Sequence, residues 1–202
     1  MAKSNERIIL GSGDVYIAEF TGTAPTVAAL KTPENKFGAT KNGASLEYSC
    51  ETYDTKSDDG KLTKTIYTEE TVTLNLGTCG VMYDKIPQII STARVTEDTT
   101  NKKTVVKIGG LANDNGKSYA VLFYQTDKQD GDIAVMIVGK NKNGASFSFK
   151  KDGETILEPQ FKADAQDDDG TLVTVEFYDT DATVTPTQTE TQSASKSKAV
   201  SQ

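Results

Sequence analysis

Two short segments carry residue types that bind phosphates or metal ions in other proteins. In GGLANDNGKS (109–118), a glycine-rich stretch ends in Gly-Lys-Ser, as phosphate-binding loops do. The spacing does not fit, because five residues separate Gly110 from Gly116 where the motif has four. The next segment also predicts a strand, whereas a phosphate loop must open a helix. We therefore expect a hairpin turn at Asn115-Gly116 and no nucleotide site.

The acidic segment ADAQDDDGTLVTVE (163–176) resembles a calcium loop when Gly170 is placed at the sixth position. Asp167, Asp169 and Glu176 then occupy ligand positions of that loop. The first ligand position, however, would be Ala165, and the sequence predicts no flanking helices. We expect a solvated turn and no metal.

The chain lacks residue types that enzymes commonly use for catalysis. The sequence contains no histidine, which removes the commonest general base and any Ser-His or Cys-His pair within one chain. None of the 29 acidic residues lies in an apolar sequence setting. We expect that the protein is not an enzyme and uses no cofactor.

Charge and apolar content narrow the function classes further. The formal net charge is −7, which disfavours high-affinity binding to nucleic acid. No apolar run approaches 18 residues, and the N-terminus has no signal-peptide pattern, so we expect a cytoplasmic protein with no membrane partner. Cys50 and Cys79 form no CxxC pair, and we expect two half-buried thiols that pack as small apolar groups.

Apolar residues recur mainly with a period of two, which predicts β-strands. DIAVMIVG (132–139) is apolar on both faces and predicts a central, covered strand. Asn-Gly and Asp-Gly pairs between strands predict tight turns, among them hairpin loops in KQDGD (128–132) and KKDGE (150–154). The other predicted strands are DVYIAEF (14–20), ASLEYSC (44–50), ETVTLNL (70–76), TVVKI (104–108), SYAVLFYQ (118–125), ASFSFK (145–150) and TLVTVEFY (171–178).

One segment changes to helical spacing, and the end of the chain changes composition. Apolar residues three or four apart from Met82 to Ile90 predict one short helix, about 85–92, with Asp84 as its cap. Residues 181–202 are rich in Thr, Ser and Gln, which predicts a flexible, disordered C-terminal tail. The ordered domain is then 1–180.

Two further features lack a single explanation. Asn-Gly-Ala-Ser occurs at 42–45 and again at 143–146, each time predicting a turn followed by a strand. Internal duplication and chance both account for the repeat. The charged segment YDTKSDDGKLTKTIYTEE (53–70) has few core residues, so it is either a mobile surface loop or an arm that folds onto a partner.

The order of these segments resembles the major tail tube protein of long-tailed bacteriophages. The likeness covers about 10–180 and depends mainly on the stretch from NGASLEY through the charged segment to TIYTEE, and on GDIAVMIVGKNKNGASFSF. It implies a mainly β fold, a two-sheet sandwich or half-barrel with one short helix. Such subunits form hexameric rings that stack into a tube, a negatively charged conduit for DNA ejection. A long loop, here about 50–69, reaches onto a neighbouring subunit.

The resemblance also implies site residues and partners. Inter-subunit contacts would fall on the arm, and acidic residues at turns or outward strand positions would face the lumen. Partners would be other copies of this chain, tape measure, tail initiator and terminator proteins, and passing double-stranded DNA without specific binding. The location would be the virion tail, after assembly in the bacterial host cytoplasm. The arm residues are Tyr53, Asp58, Asp59, Lys61, Lys64 and Tyr67, and the lumen candidates are Glu47, Asp130 and Asp132.

Two alternatives stay open at this level. A tube subunit of a contractile phage tail or a phage-derived bacteriocin would share the fold and differ in an outer surface that binds a sheath. A monomeric β-sandwich binding or adhesion module would differ in oligomeric state, because it would not form rings.

Overall fold

The computed structural model describes residues 11–56, 58, 61, 63–79, 82–145, 156–180, 182 and 184. The fold is mainly β, as the sequence predicts. The strands are β1 (Asp14–Glu19), β2 (Lys36–Lys56), β3 (Thr63–Cys79), β4 (Arg94–Asp98), β5 (Lys103–Lys107), β6 (Tyr119–Gln125), β7 (Ile133–Asn141), β8 (Ile156–Leu157), β9 (Gln160–Asp164) and β10 (Val173–Phe177). The helices are α1 (Val27–Leu30) and α2 (Ile86–Ile89), with 3₁₀ turns at Pro33–Asn35, Tyr83–Lys85 and Leu111–Asn113.

Eight strands form one antiparallel sheet that closes on itself. The strand order is β10-β7-β6-β1-β2-β3-β8, and β9 pairs with both β3 and β7. The ring β1-β2-β3-β9-β7-β6 is therefore a closed barrel, which removes open edges from these strands where they pair. Strands β4 and β5 form a separate two-stranded sheet.

Alternate residues of the barrel strands fill its interior. Val15 and Ile17 of β1 point inward, as their period-two spacing predicts. The closing strand β9 contributes Phe161, which is fully buried and lies opposite Leu74 of β3. The inner cluster consists of Val15, Ile17, Phe37, Val72, Leu74, Leu76, Ile89, Tyr119, Val121, Phe123, Ile137, Leu157, Phe161 and Ala163.

A second cluster covers the outer face of β1, β6 and β7. Val27 and Leu30 of α1 pack there against Tyr16, Leu122 and Met136, among others. Strand β7 is thus buried on both faces, which confirms the prediction from DIAVMIVG. Val184, which lies in the predicted tail, packs against this same cluster.

The predicted short helix is present and shorter than expected. A 3₁₀ turn at Tyr83–Lys85 leads into α2, and Ile86 and Ile89 are buried, as their spacing predicts. Asp84 does not cap the helix, because it lies within the 3₁₀ turn and Lys85 occupies the N-cap position. No sequence pattern predicted α1. Thr26 is its N-cap, and the Thr26 hydroxyl accepts the N–H of Ala29.

The turn predictions fare unequally. The KQDGD loop does join the antiparallel pair β6 and β7, and Gly131 there has a φ of +89°. Asn115-Gly116 is not a hairpin turn, because the strand before it pairs with β4 and the strand after it pairs with β1 and β7. Its Asn115 side chain instead accepts the N–H of Lys117.

The two Asn-Gly-Ala-Ser copies belong to different parts of the sheet and lie close together. The first is not a turn but an irregularity inside β2, where Gly43 has a φ of +75° and a Cβ would lie 1.9 Å from the carbonyl oxygen of Gly11. The second follows the end of β7. All but the first residue of the predicted strand 145–150, and the whole predicted turn 150–154, lie outside the described residues. Gly43, Ala44, Ser45 and Asn143 line one open cleft of about 350 Å³.

Candidate functional site

Strands β2 and β3 continue far beyond the barrel as an isolated two-stranded ribbon. Their pairing extends from Leu46 opposite Leu74, beside the core, to Lys56 opposite Thr63. We call the part beyond the core, residues 47–56 and 63–71, the arm. All but one of its residues are exposed, whereas Val72 and Leu74, which follow the arm on β3, are fully buried. The arm therefore contributes nothing to the core of its own subunit.

Local sequence explains why the arm is extended. It is rich in Thr, with Tyr and Ile interspersed, the residues that favour strands. Cross-strand hydrogen bonds add to the backbone ladder: Tyr48 Oη donates to Glu70 Oε1 at 3.1 Å, and Thr65 Oγ1 donates to Asp54. The bond to Glu70 also raises the pKa of the Tyr48 phenol. Such an isolated ribbon is marginally stable in water without further packing.

The arm has two chemically different faces. Residues directly opposite each other on paired strands share a face, and the faces alternate along each strand. The register shifts once between Glu51 and Thr52, which leaves Thr68 as an extra residue on β3. The inner face, named because it continues the side of Val72 and Leu74, carries Tyr48, Cys50, Tyr67 and Glu70. The outer face carries Glu47, Glu51, Tyr53, Ile66 and Glu69.

The arm residues proposed from sequence fall on both faces. Tyr53 lies on the outer face and is 58% exposed, and Tyr67 lies on the inner face and is 73% exposed. Lys64 lies opposite Thr55, also on the outer face. Asp58 and Lys61 belong to the segment that joins the two strands, and Asp59 lies outside the described residues.

The sequence analysis did not single out several other exposed residues of the arm. Ile66 lies directly opposite Tyr53 and is 42% exposed, and Tyr48 is 60% exposed. Glu51 lies directly opposite Glu69, so two carboxylates meet across the strands. The alternation on each strand was readable, but the cross-strand pairing that joins these residues requires the register, which depends on the bulge.

The cysteine prediction is wrong for Cys50. This free thiol is exposed on the arm instead of packing as a half-buried apolar group. The physical reason is that its strand has left the barrel by this point, so alternation no longer places one face against a core. The side chain of Cys79 lies outside the described residues.

The three lumen candidates lie in two places. Glu47 is exposed on the outer face of the arm and accepts a hydrogen bond from Asn75 Nδ2 at 3.3 Å. Asp130 and Asp132 lie in the loop between β6 and β7 and are half-buried. That any of these carboxylates faces a channel stays a prediction.

Asp132 has a structural role within its own subunit. Its carboxylate accepts the hydroxyl of Tyr124 and, at 3.0 Å, the N–H of Asp127. Burial, together with the hydrogen bond to Asp132, raises the pKa of Tyr124 well above its ordinary value. The ammonium of Lys31 lies 3.5 Å from the centre of the Tyr124 ring. The hydrogen bonds tie the β6–β7 loop to Tyr124 of β6, and Lys31 at the end of α1 covers the ring of the same tyrosine.

The calcium-like segment contains the turn between β9 and β10. Asp167 Oδ1 accepts the N–H of Thr171 at 2.9 Å, and hydrogen bonds of this kind hold its pKa below the ordinary value. Within the described ranges, no group of three or more His, Cys, Asp or Glu side chains is arranged to hold a metal ion. In the same part of the chain, no helix is long and apolar enough to cross a membrane.

Comparison with solved structures includes a weak likeness, whereas comparison with sequences found no match. No protein-family model and no curated protein matches the sequence. Among solved structures, the chain is similar to a chain of the virion of a native gene transfer agent particle, with a TM-score of 0.34 and 11% identity over 81% of this chain and 95% of that one. That description applies to the particle, and a likeness at this level transfers no function to this chain.

Proposed function

We propose that the protein is a structural subunit of a virion, a tail tube protein that assembles with copies of itself through the arm. The observation that carries the proposal is the arm itself: a long ribbon, exposed on both faces, that displays Tyr48, Tyr53, Ile66 and Tyr67 without a core to bury them. A ribbon of this kind gains packing when a second molecule covers it.

The rest of the molecule is consistent with repeated, head-to-tail assembly. The barrel is a closed unit whose core is complete within one chain, so it can act as a rigid block. The arm of one subunit would contact a different surface on the next, and a contact of that type closes into rings or extends into tubes. Hexameric rings stacked around a channel are the form that this proposal takes.

The charge of the chain fits a conduit for DNA. A net charge of −7 gives passing phosphates no general attraction to the protein, so DNA would move through the channel without specific binding. The protein would act by assembly and not by catalysis. Its partners would be tape measure, initiator and terminator proteins of the tail.

Ordering of the arm would also control when assembly starts. A segment that becomes ordered on binding spends part of its interaction free energy on that ordering. Free subunits would therefore polymerise reluctantly, and an initiator complex that presents a complete ring would remove the barrier.

The test is electron microscopy of the purified protein at rising concentration, with light scattering to measure mass. The variant replaces residues 52–68 by Asn-Gly, so that a two-residue turn joins Glu51 to its partner Glu69. We expect six-fold rings or tubes from the intact chain, and a folded monomer from the variant, because the barrel core lies outside the deleted segment.

Two results would contradict the proposal. An intact chain that stays monomeric at every concentration, even with a tail initiator complex added, would favour a monomeric binding module. Tubes formed equally well by the shortened variant would remove the arm from the assembly contact. Circular dichroism of the variant serves as the control for folding.

A further inference from the structure

The hairpin of β4 and β5 is a second two-stranded ribbon of the molecule. It forms its own two-stranded sheet and is only partly covered, with Val95, Val105 and Val106 half-buried. It leads directly into the 3₁₀ turn at Leu111–Asn113. We call residues 94–107 the basic hairpin, because it carries four cationic and two anionic side chains. The arm, in contrast, carries five carboxylates and two lysines.

Each ribbon holds one like-charge pair in direct cross-strand register, and the two pairs have opposite signs. On the arm, Glu51 lies opposite Glu69. On the basic hairpin, Arg94 lies opposite Lys107, and both side chains are exposed. Like charges in this position destabilise a two-stranded sheet. Each pair therefore costs stability in the separate subunit and would be relieved by charges of the other sign.

Neighbouring charges reduce these costs only in part. Lys162 approaches Glu69 with an N–O distance of 3.6 Å, and both side chains remain about half exposed. Arg94 donates to Asn113 Oδ1 at 3.0 Å, a neutral acceptor. The bond holds the guanidinium beside the turn that displays Leu111.

Exposed apolar side chains adjoin both charged pairs. On the outer face of the arm, Tyr53 and Ile66 form the next cross-strand pair after the bulge. Beside the basic hairpin, Ile108 follows Lys107 directly and is 53% exposed, and Leu111 is 91% exposed. A like-charge cross-strand pair with exposed apolar side chains nearby thus occurs on the arm and at the base of the basic hairpin, with the sign of charge reversed.

We infer that the basic hairpin is the surface that receives the arm of a second copy of this chain. Glu51 and Glu69 of one copy face Arg94 and Lys107 of the next, and Tyr53 with Ile66 packs against Ile108 and Leu111. This inference rests on the proposed self-assembly, and it identifies the surface that the arm contacts on the neighbouring copy. The two surfaces differ, so the contact is head-to-tail, and such a contact closes into a ring or extends into a tube.

The test exchanges one charge on each ribbon. Glu51→Lys places an opposite charge across from Glu69, and Lys107→Glu does the same across from Arg94, so each single variant relieves its own cross-strand repulsion. Each monomer is expected to be as stable as the unmodified chain or slightly more so. Assembly is expected to weaken, with the critical concentration for polymerisation raised about tenfold, because a like charge then faces the neighbouring copy.

The double variant, Glu51→Lys with Lys107→Glu, restores opposite charges across the contact. Its critical concentration is expected to return to within about threefold of the unmodified chain. Matched controls are Glu34→Lys and Lys128→Glu, exposed sites away from both ribbons, which are expected to leave assembly unchanged.

The outcomes separate this inference from the proposed function. If the unmodified chain polymerises and the single variants behave like the controls, the hairpin contact is wrong and self-assembly stands. The same holds if the double variant assembles no better than either single one. If the unmodified chain never assembles, both the proposed function and this contact are wrong.

Discussion

The barrel and the arm are built from the same kind of strand and obtain their stability in opposite ways. Strands β2 and β3 run through both regions without interruption, yet Val72 and Leu74 are fully buried while Tyr67 is 73% exposed. In the barrel, every strand pairs with a neighbour on each side, and side chains from several strands fill one shared interior. In the arm, β2 and β3 are the only strands among the described residues, and no other described strand covers either face. Apolar side chains thus stabilise the subunit in one region and remain available to a partner in the other.

The largest expected effect tests the barrel side of this comparison. Phe161→Ala removes a fully buried ring from the strand that closes the barrel, and we expect a loss of about 3–5 kcal/mol in the free energy of unfolding. Urea unfolding followed by circular dichroism measures this loss. Phe177→Ala is the matched control: that ring is 58% exposed on β10, and we expect a change within about 0.5 kcal/mol. Equal losses at both positions would contradict the closed core.

A smaller effect tests how closely the strands meet where the barrel closes. A Cβ on Gly139 would lie 2.0 Å from the carbonyl oxygen of Lys162, so Gly139→Ala must push β7 and β9 apart. We expect a loss of about 1–3 kcal/mol in the same unfolding measurement. Gly11→Ala is the control, since a Cβ there meets nothing closer than 3.9 Å. If Gly139→Ala is as stable as this control, β9 does not close the ring as described.

The smallest effect on the subunit is expected from the arm. Tyr53→Ser and Tyr67→Ser remove exposed rings from the outer and inner faces, and each should change the free energy of unfolding by no more than about 0.5 kcal/mol. Assembly, measured by light scattering, should weaken in both. If the basic hairpin binds the outer face, Tyr53→Ser weakens assembly more than Tyr67→Ser does. A loss of subunit stability instead would show that the arm supports its own barrel.

Local sequence patterns were sufficient to predict a mainly β fold and several of its individual elements. The period of two located most strands, and the apolar run in DIAVMIVG predicted a strand covered on both faces, which β7 is. Turn chemistry placed the β6–β7 hairpin, and helical spacing placed α2. These features depend on residues near each other in the sequence, so their physical causes are contained in short windows.

The arm was foreseeable as a segment with few core residues, but not as a paired ribbon with two distinct faces. Its position along the chain follows from composition. Glu51 lies opposite Glu69 only because of the strand register, which includes one extra residue on β3. The first Asn-Gly-Ala-Ser copy was also mispredicted from local sequence. Its residue types predict a turn, but in the barrel it forms an irregularity inside β2.

The sequence by itself determined the strands, the buried central strand, the acidic balance and the charged segment that became the arm. Only the tertiary structure decided that β9 joins β3 to β7, that Asp132 anchors its own loop, and that one chain carries both an acidic and a basic ribbon. The physical reason is that strand pairing and register join residues far apart in the chain. Their choice depends on how all the apolar faces are buried together, which no short window of sequence specifies.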